Sequence, residues 1–208
     1  DTKSYAHSAA QKAIADHLER SGVNAKVFSG PWNGSFRVKY PVEAGSFASI
    51  IIPTKDQFKL LSRCVDSILE LTALKNYEII LIDNRTREVE ALEYLNEISA
   101  RENVTLLKWE EPSNYSKINN FAAGHARGDV LVFLNNDTEV VEPDWLEELV
   151  SHALRPEIGA VGAKLLFPDH RIQHAGVVLD IGPDDWAGHA YAGFPHCYRG
   201  DNQRAFLV

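Results

Sequence analysis

The stretch "VLVFLNNDTEV", residues 130–140, runs through apolar side chains and then stops on Asn135, Asn136 and Asp137. Asn135 and Asp137 are two apart, so an extended chain points an amide and a carboxylate in the same direction. A carboxylate with a neighbouring amide oxygen suits a hard divalent cation such as Mg²⁺ or Mn²⁺. Such ions take oxygen ligands and are usually held by one or two carboxylates together with substrate phosphates. Two other apolar runs end in the same manner, one on Pro53, Thr54 and Asp56 in "PTKD" and one on Asp83 and Asn84 in "YEIILIDN". Together these tips imply a site for a diphosphate bridged to a metal.

Each tip also has a plainer use. Thr54 or Asp56 could be the N-cap of a following helix, a position that Thr and Asp fill routinely. Asp83 and Asn84 could form an Asx-turn, and residues 135–137 could be a turn before the helix that Pro143 opens. What sets the last tip apart is its abruptness, because a buried strand delivers the amide and the carboxylate directly.

The elements that must position these tips follow from periodicity. "FASIIIP" (47–53), "YEIILID" (77–83), "VTLLKW" (104–109), "DVLVFLN" (129–135) and "IGAVGAK" (158–164) have the length and apolar content of buried strands. Between them, Leu61, Cys64, Val65, Ile68 and Leu69 recur at helical spacing, as do Val89, Leu92, Leu95 and Ile98, and then Ile118, Phe121 and Ala122. Pro143 and Asp144 begin a further helix, since proline fits a first turn and acidic groups favour the dipole there. Strands apolar on both faces and separated by helices describe a doubly wound α/β core, a mainly parallel sheet with helices on both faces. In such sheets ligands lie outside the carboxyl ends of the strands, where strand order reverses, so the polar tips are expected to converge.

Residues 1–45 stand outside this rhythm and are expected to be an appendage or the tail of a preceding domain, with a helix over 5–20 and strand-like pieces "AKVF" and "FRVKY". Residues 46–208 form the α/β domain. After Lys164 the regularity fades into loops with one strand, "GVVLDI". The chain begins at Asp1 and contains no Met, so it is expected to be a piece of something longer, and "QRAFLV" looks like a strand that the fold would continue.

A formal net charge of −8 would repel a phosphate backbone, so nucleic acid is not an expected partner. No apolar run reaches the length of a membrane span and the first residues lack a secretory signal's apolar core. Cys64 and Cys197 form no paired motif, which indicates neither a disulfide framework nor a zinc cage. A cytoplasmic location is the default, at the inner face of the membrane if parts outside these residues associate peripherally with it.

The segments "SIIIPTKDQFKLLSRCVDSI", "YEIILIDN", "NYSKINNFAAGHARGDVLVFLNNDTEV" and "IGAVGAKLLFPDHRIQHAGVVL" occur in this order from about Ser46 to Leu179. In them the chain resembles the large inverting glycosyltransferase family called family two, which has the A-type glycosyltransferase fold. Within it, the chain is most similar to bacterial rhamnosyltransferase-like enzymes that build O-antigen and other cell-surface polysaccharides. The resemblance implies a nucleotide-diphosphate sugar donor, a dTDP- or UDP-sugar being favoured, and a saccharide or lipid-linked acceptor. It places Pro53 and Thr54 along the nucleotide, Asp56 and Asn84 beside it, and Asp83 on the pyrimidine base. Asn114, Lys117 and Asn120 come within reach of base or phosphates, although Asn114 or Ser116 would serve equally as a helix cap. Asn135, Asn136 and Asp137 stand where the family has an Asp-x-Asp motif, with Asp137 as ligand to Mn²⁺ or Mg²⁺ and Asn135 near the ribose. With one carboxylate replaced by an amide, metal binding should lean on the nucleotide's phosphates.

Inverting transfer needs a general base for the acceptor hydroxyl. The family's base is an Asp or Glu in a later segment, expected beyond Val208. Asp184, Asp185 and His189 sit in the loop region, and the sequence selects none of them. Three other readings compete. "HRIQH" would suit zinc if His170 and His174 lay on a helix, but Arg171 stands where a metallohydrolase has Glu. A nucleotidyltransferase would carry a Gly-rich basic loop after the first strand, which "PTKDQFKL" is not. A catalytically silent nucleotide-binding module would share the fold without transfer.

Overall fold

A computed structural model of the 208-residue chain describes residues 4–179 and 187–200. Asp184, Asp185 and the strand expected at the end of the chain lie outside the described residues. The chain divides into two compact units, Asp1–Glu157 and Ile158–Val208.

The first unit opens with helix α1 (Ser4–Arg20) and a hairpin of β1 (Lys26–Ser29) and β2 (Phe36–Lys39). It continues with β3 (Ala48–Thr54), α2 (Phe58–Leu71), β4 (Tyr77–Asp83), α3 (Val89–Ile98), β5 (Val104–Lys108), α4 (Tyr115–Ala123), β6 (Val130–Phe133) and α5 (Trp145–Ala153). The four long-range strands form one parallel sheet in the order β5-β4-β3-β6. The chain thus builds outward from β3 through β4 to β5 and then returns to place β6 on the other side of β3. Strand order reverses between β3 and β6, which is where the sequence places its most polar tips.

Helices cover both faces, as the periodicity implies. Ile50, Ile52, Ile79 and Leu81 on one face of β3 and β4 pack with Leu61, Cys64 and Ile68 of α2, Leu95 of α3 and Leu146 and Val150 of α5. Ile51, Ile80 and Ile82 on the other face pack with Ile118 and Ala122 of α4. Burying one such side chain stabilises the fold by roughly 1.5–3 kcal/mol. Every residue of β4 is buried, so its alternate side chains anchor both layers.

Two expectations need correction. β6 is not apolar-buried on both faces, because Leu131 and Phe133 are 38% and 50% exposed while only Val132 is buried. It is the edge of the sheet, and α4 covers β3 and β4 rather than β6. The strand expected over 158–164 does not form. Gly159 and Gly162 interrupt the apolar run, leaving too few side chains to pack against a layer, and Val161 is exposed. The second unit instead carries β7 (Leu165–Leu166) with β8 (Ile172–His174), and β9 (Val177–Leu179) with β10 (Ala187–His189), each pair antiparallel.

The amino end of the sheet is closed by a buried carboxylate. Glu78 of β4 accepts hydrogen bonds from Ser49 Oγ at 2.7 Å, Arg127 N at 2.8 Å and Arg127 Nε at 2.9 Å. Gly128 enters β6 beside this cluster, and a Cβ there would meet Ser49 N at 2.5 Å, so only glycine permits the approach. On the α1 side, Arg37 of β2 pairs with Asp144 and Glu148 at the start of α5 at 3.0 and 2.9 Å.

Candidate functional site

The carboxyl ends of β3, β4 and β6 meet through direct hydrogen bonds. In the β3–β4 register Thr54 lies opposite Asp83 and Pro53 opposite Ile82. Thr54 O accepts from Asn84 N at 2.8 Å, and Thr54 Oγ1 accepts from Asn136 Nδ2 at 3.0 Å. One threonine at the end of the central strand therefore joins the other two tips. Thr54, Asp83 and Asn84 are buried, Asn136 is half-buried, and Asn135 and Asp137 are exposed.

The β4 tip turns on its own aspartate. Asp83 Oδ1 accepts from Thr86 N, three residues on rather than the two of an Asx-turn, at 2.8 Å, and its carbonyl accepts from Trp109 N at 2.9 Å. Asn84 Nδ2 donates to Ser113 Oγ at 3.0 Å, while Asn84 Oδ1 is buried without a partner. Unpaired buried acceptors are uncommon in a folded core, and this one lies among the residues that the sequence marks for a nucleotide. Ser113 precedes Asn114, whose Oδ1 accepts from Lys117 N at 3.0 Å and so caps α4. Lys117 and Asn120 lie on the exposed side of α4, and no side-chain hydrogen bond draws them into the cluster.

Asp56 is tied into the neighbouring loop rather than capping α2, where Gln57 takes the N-cap position. Its Oδ1 accepts from Arg87 N at 2.6 Å and from Glu88 N at 3.0 Å, while Asp56 N donates to Thr86 Oγ1 at 3.2 Å. Glu88 returns the favour by accepting from Phe58 N at 2.9 Å. The two backbone donors, that of Arg87 foremost, hold the Asp56 carboxyl below the usual aspartate range. Asp56, Gln57 and Arg85 all adopt left-handed backbone, with φ of 54°, 60° and 62°. Non-glycine residues held in that region cluster at functional sites. Sequence reasoning missed Thr86, Glu88 and Ser113; their side chains act across loops, and only the polar end of β4 at Asp83 carried a local signal.

Asp137 presents a carboxylate that makes no hydrogen bond or ion pair with the described residues. Among the described residues no group of three or more His, Cys, Asp or Glu is placed to hold a metal ion unaided. The donor set at the β6 tip is one carboxylate with amides beside it, which fits a hard cation that takes its remaining oxygens from phosphates and water. The helical zinc reading of "HRIQH" is excluded in this fold, because Ile172–His174 is a strand. In the second unit His174 Nδ1 lies 2.7 Å from His189 Nδ1, and burial together with that neighbour pushes His174 below the usual histidine value.

Comparison with known proteins agrees with this fold. O-antigen biosynthesis protein RfbC of Myxococcus xanthus is 46% identical over 191 residues, which is 91% of this chain and 15% of that protein. Protein y4gI of Sinorhizobium fredii is 43% identical over 195 residues, covering 93% of this chain and 21% of its own length. The chain thus spans about a fifth or less of the curated relatives it matches. A mannosyltransferase from Pyrobaculum calidifontis, solved with GDP-Man and Mn²⁺, shares the fold with a TM-score of 0.54 at 21% identity, over 79% of this chain and 45% of that one. The model of the family described as Glycosyl transferase family 2 matches residues 49–174, more than half of the sequence, and the chain belongs to that family.

Proposed function

We propose that this chain is the nucleotide-sugar-binding part of a metal-dependent inverting glycosyltransferase, acting in O-antigen or related cell-surface polysaccharide synthesis. The observation that carries the reading is the convergence of three strand tips where strand order reverses, with the Asp137 carboxylate free of partners among the described residues. Its setting in polysaccharide synthesis is supported by the likeness to an O-antigen biosynthesis protein along most of the chain. The donor is a nucleotide-diphosphate sugar, a dTDP- or UDP-sugar in the first instance, and the acceptor a saccharide or a lipid-linked saccharide.

The chain's own residues divide the work. Pro53, Thr54, Asp83 and Asn84 line the base and ribose side, with Asp83 accepting from the pyrimidine. Asp56 braces the loop beside them, Asn114 caps the amino end of α4, and Lys117 and Asn120 lie along its exposed side. Asn135 and Asn136 lie along the ribose and the diphosphate, and Asp137 would hold Mn²⁺ or Mg²⁺. A bound divalent cation supplies charge that stabilises the departing diphosphate. The free Asp137 carboxylate orients that charge, and the Thr54–Asn136 bond keeps the tip against the nucleotide side. Inversion requires a base on the acceptor side of the sugar, and none of the described residues is assigned that part. No helix among the described residues is long and apolar enough to cross a membrane, and we place the enzyme at the cytoplasmic face, where nucleotide sugars are made.

Calorimetric titration with UDP, dTDP and GDP, each with and without Mn²⁺, tests the reading. Metal-dependent binding of one pyrimidine diphosphate is the expected result and would narrow the donor class. Binding that ignores Mn²⁺ would favour a silent nucleotide-binding module.

A further inference from the structure

The segment that carries Asp137 has no helix or strand of its own between Leu134 and Asp144, yet it must hold one carboxylate in place. Its backbone is fastened to one side of α2. Cys64 Sγ lies 3.6 Å from Asn135 O and 3.7 Å from Thr138 Oγ1, and Thr138 Oγ1 donates to the same carbonyl at 2.8 Å. Three residues along α2, Ser67 Oγ accepts from Val140 N at 3.0 Å and donates to Cys64 O at 2.9 Å. Past the helix end, Thr72 Oγ1 accepts from Trp145 Nε1 at 3.0 Å and Ala73 N donates to Pro143 O at 2.9 Å.

Residues three apart share a helix face, so Cys64 and Ser67 grip the turn at both ends, Asn135 on entry and Val140 on exit. Both side chains are buried. Burial pushes the Cys64 thiol up to about 11, which keeps it protonated and able to donate to Asn135 O. α2 itself is held by the core through Leu61, Val65 and Ile68. The position of the exposed carboxylate is thereby referred to the rigid centre of the sheet.

We propose that Cys64 and Ser67 are positioning residues for the metal–diphosphate site, their face of α2 fixing the backbone from Asn135 to Val140 and with it the place of the Asp137 carboxylate. The inference rests on the reading of Asp137 given above. Without the clamp the same ligands are present but must be ordered at the moment of binding, and that ordering is subtracted from affinity.

The test compares Ser67→Ala, Cys64→Ala and the conservative Ser67→Thr with the unaltered protein, using Leu95→Ala on α3 as a variant that weakens the core away from the turn. Two quantities are read: amide hydrogen exchange over residues 135–140 without ligand, and the apparent Kd for Mn²⁺ with saturating UDP or dTDP. Expected for Ser67→Ala is exchange over 135–140 faster by about tenfold and Mn²⁺ binding weaker by roughly five- to tenfold. Cys64→Ala should shift both in the same direction by less, Ser67→Thr should stay near the unaltered protein, and Leu95→Ala should leave the Mn²⁺ value alone. Exchange over 135–140 that matches the unaltered protein in both alanine variants would overturn the proposal. So would faster exchange with an Mn²⁺ Kd unchanged within about twofold, or an equal loss in Leu95→Ala, which would mark a general effect of stability. If the unaltered protein binds no nucleotide in a metal-dependent way, the functional reading of Asp137 falls, and this inference falls with it for that separate reason.

Discussion

The two ends of the parallel sheet each carry a carboxylate, and the protein uses them in opposite ways. At the amino end Glu78 is 2% exposed and accepts from Ser49, from the backbone of Arg127 and from its guanidinium, the latter itself largely exposed. At the carboxyl end Asp137 is exposed and no described residue donates to it. Burial alone would push the Glu78 carboxyl up, but the three donors outweigh it and hold the group below the usual glutamate range. A carboxylate that is already satisfied stabilises the fold and has nothing to offer a ligand. One that is held in place but left unpaired contributes little to the fold and keeps its charge for something that arrives later. Asp56 lies between these extremes, half-buried and engaged by two backbone donors.

Asp137→Ala is the sharpest way to break the comparison. Metal-dependent nucleotide binding should weaken by more than about a hundredfold while the thermal midpoint stays put, since no bond to a described residue is lost. Unchanged binding with unchanged Mn²⁺ dependence, read by calorimetry, would show that the free carboxylate is idle. Glu78→Ala should do the reverse. Removing one partner of a buried charged cluster strands Ser49 and the Arg127 backbone donor, at about 2–3 kcal/mol, seen as a thermal midpoint lower by several degrees. Nucleotide affinity well below that midpoint should be unaffected, because Glu78 lies at the other end of β4 from Asp83.

The division between legible and illegible residues follows the same line. The helices and the central strands could be read from the sequence because burial writes itself as periodicity: Ile50, Ile52 and Leu81 point one way and Ile51, Ile80 and Ile82 the other. Asp83 and the Asn135–Asp137 tip were legible because a polar residue that ends an apolar run violates the pattern. β6 was misjudged since an edge strand can be as apolar as a central one, and only the reach of α4 decides which face stays bare. The strand expected at 158–164 failed because apolar content alone suggested it, while Gly159 and Gly162 leave too few side chains to pack. Ser67 and Cys64 were illegible in their second use. On α2 they read simply as part of the buried face, and nothing local says that their polar atoms meet a turn more than sixty residues later.

A smaller effect sharpens the comparison within the carboxyl end. Asn136→Ala removes the bond to Thr54 Oγ1, a half-buried neutral hydrogen bond whose loss costs about 1 kcal/mol. The cost should appear mainly as weaker nucleotide binding, by roughly three- to fivefold, because the bond joins two tips that are each anchored separately by their strands. A fall in thermal midpoint with unchanged affinity would instead assign Asn136 to the fold, alongside Glu78.

The smallest effect concerns Asp56 and appears only in acid. Backbone donors from Arg87 and Glu88 hold its folded-state carboxyl below the ordinary value. A group whose pKa is depressed on folding contributes stability that is present above its unfolded pKa and lost as pH falls through the folded one. That window lies below about pH 4. Asp56→Asn keeps an oxygen facing both donors but removes the proton equilibrium. The variant should therefore match the original closely at neutral pH in denaturant unfolding, and its stability should fall less steeply on the acid side. The difference between the two proteins isolates this one group, because Glu78 and the Arg37-paired Asp144, which are also depressed, titrate identically in both. A parallel acid limb in the two proteins would mean that the Arg87 and Glu88 amides hold Asp56 no better in the folded chain than water does in the unfolded one, and that Asp56, like Asp137, is a carboxylate the fold leaves free.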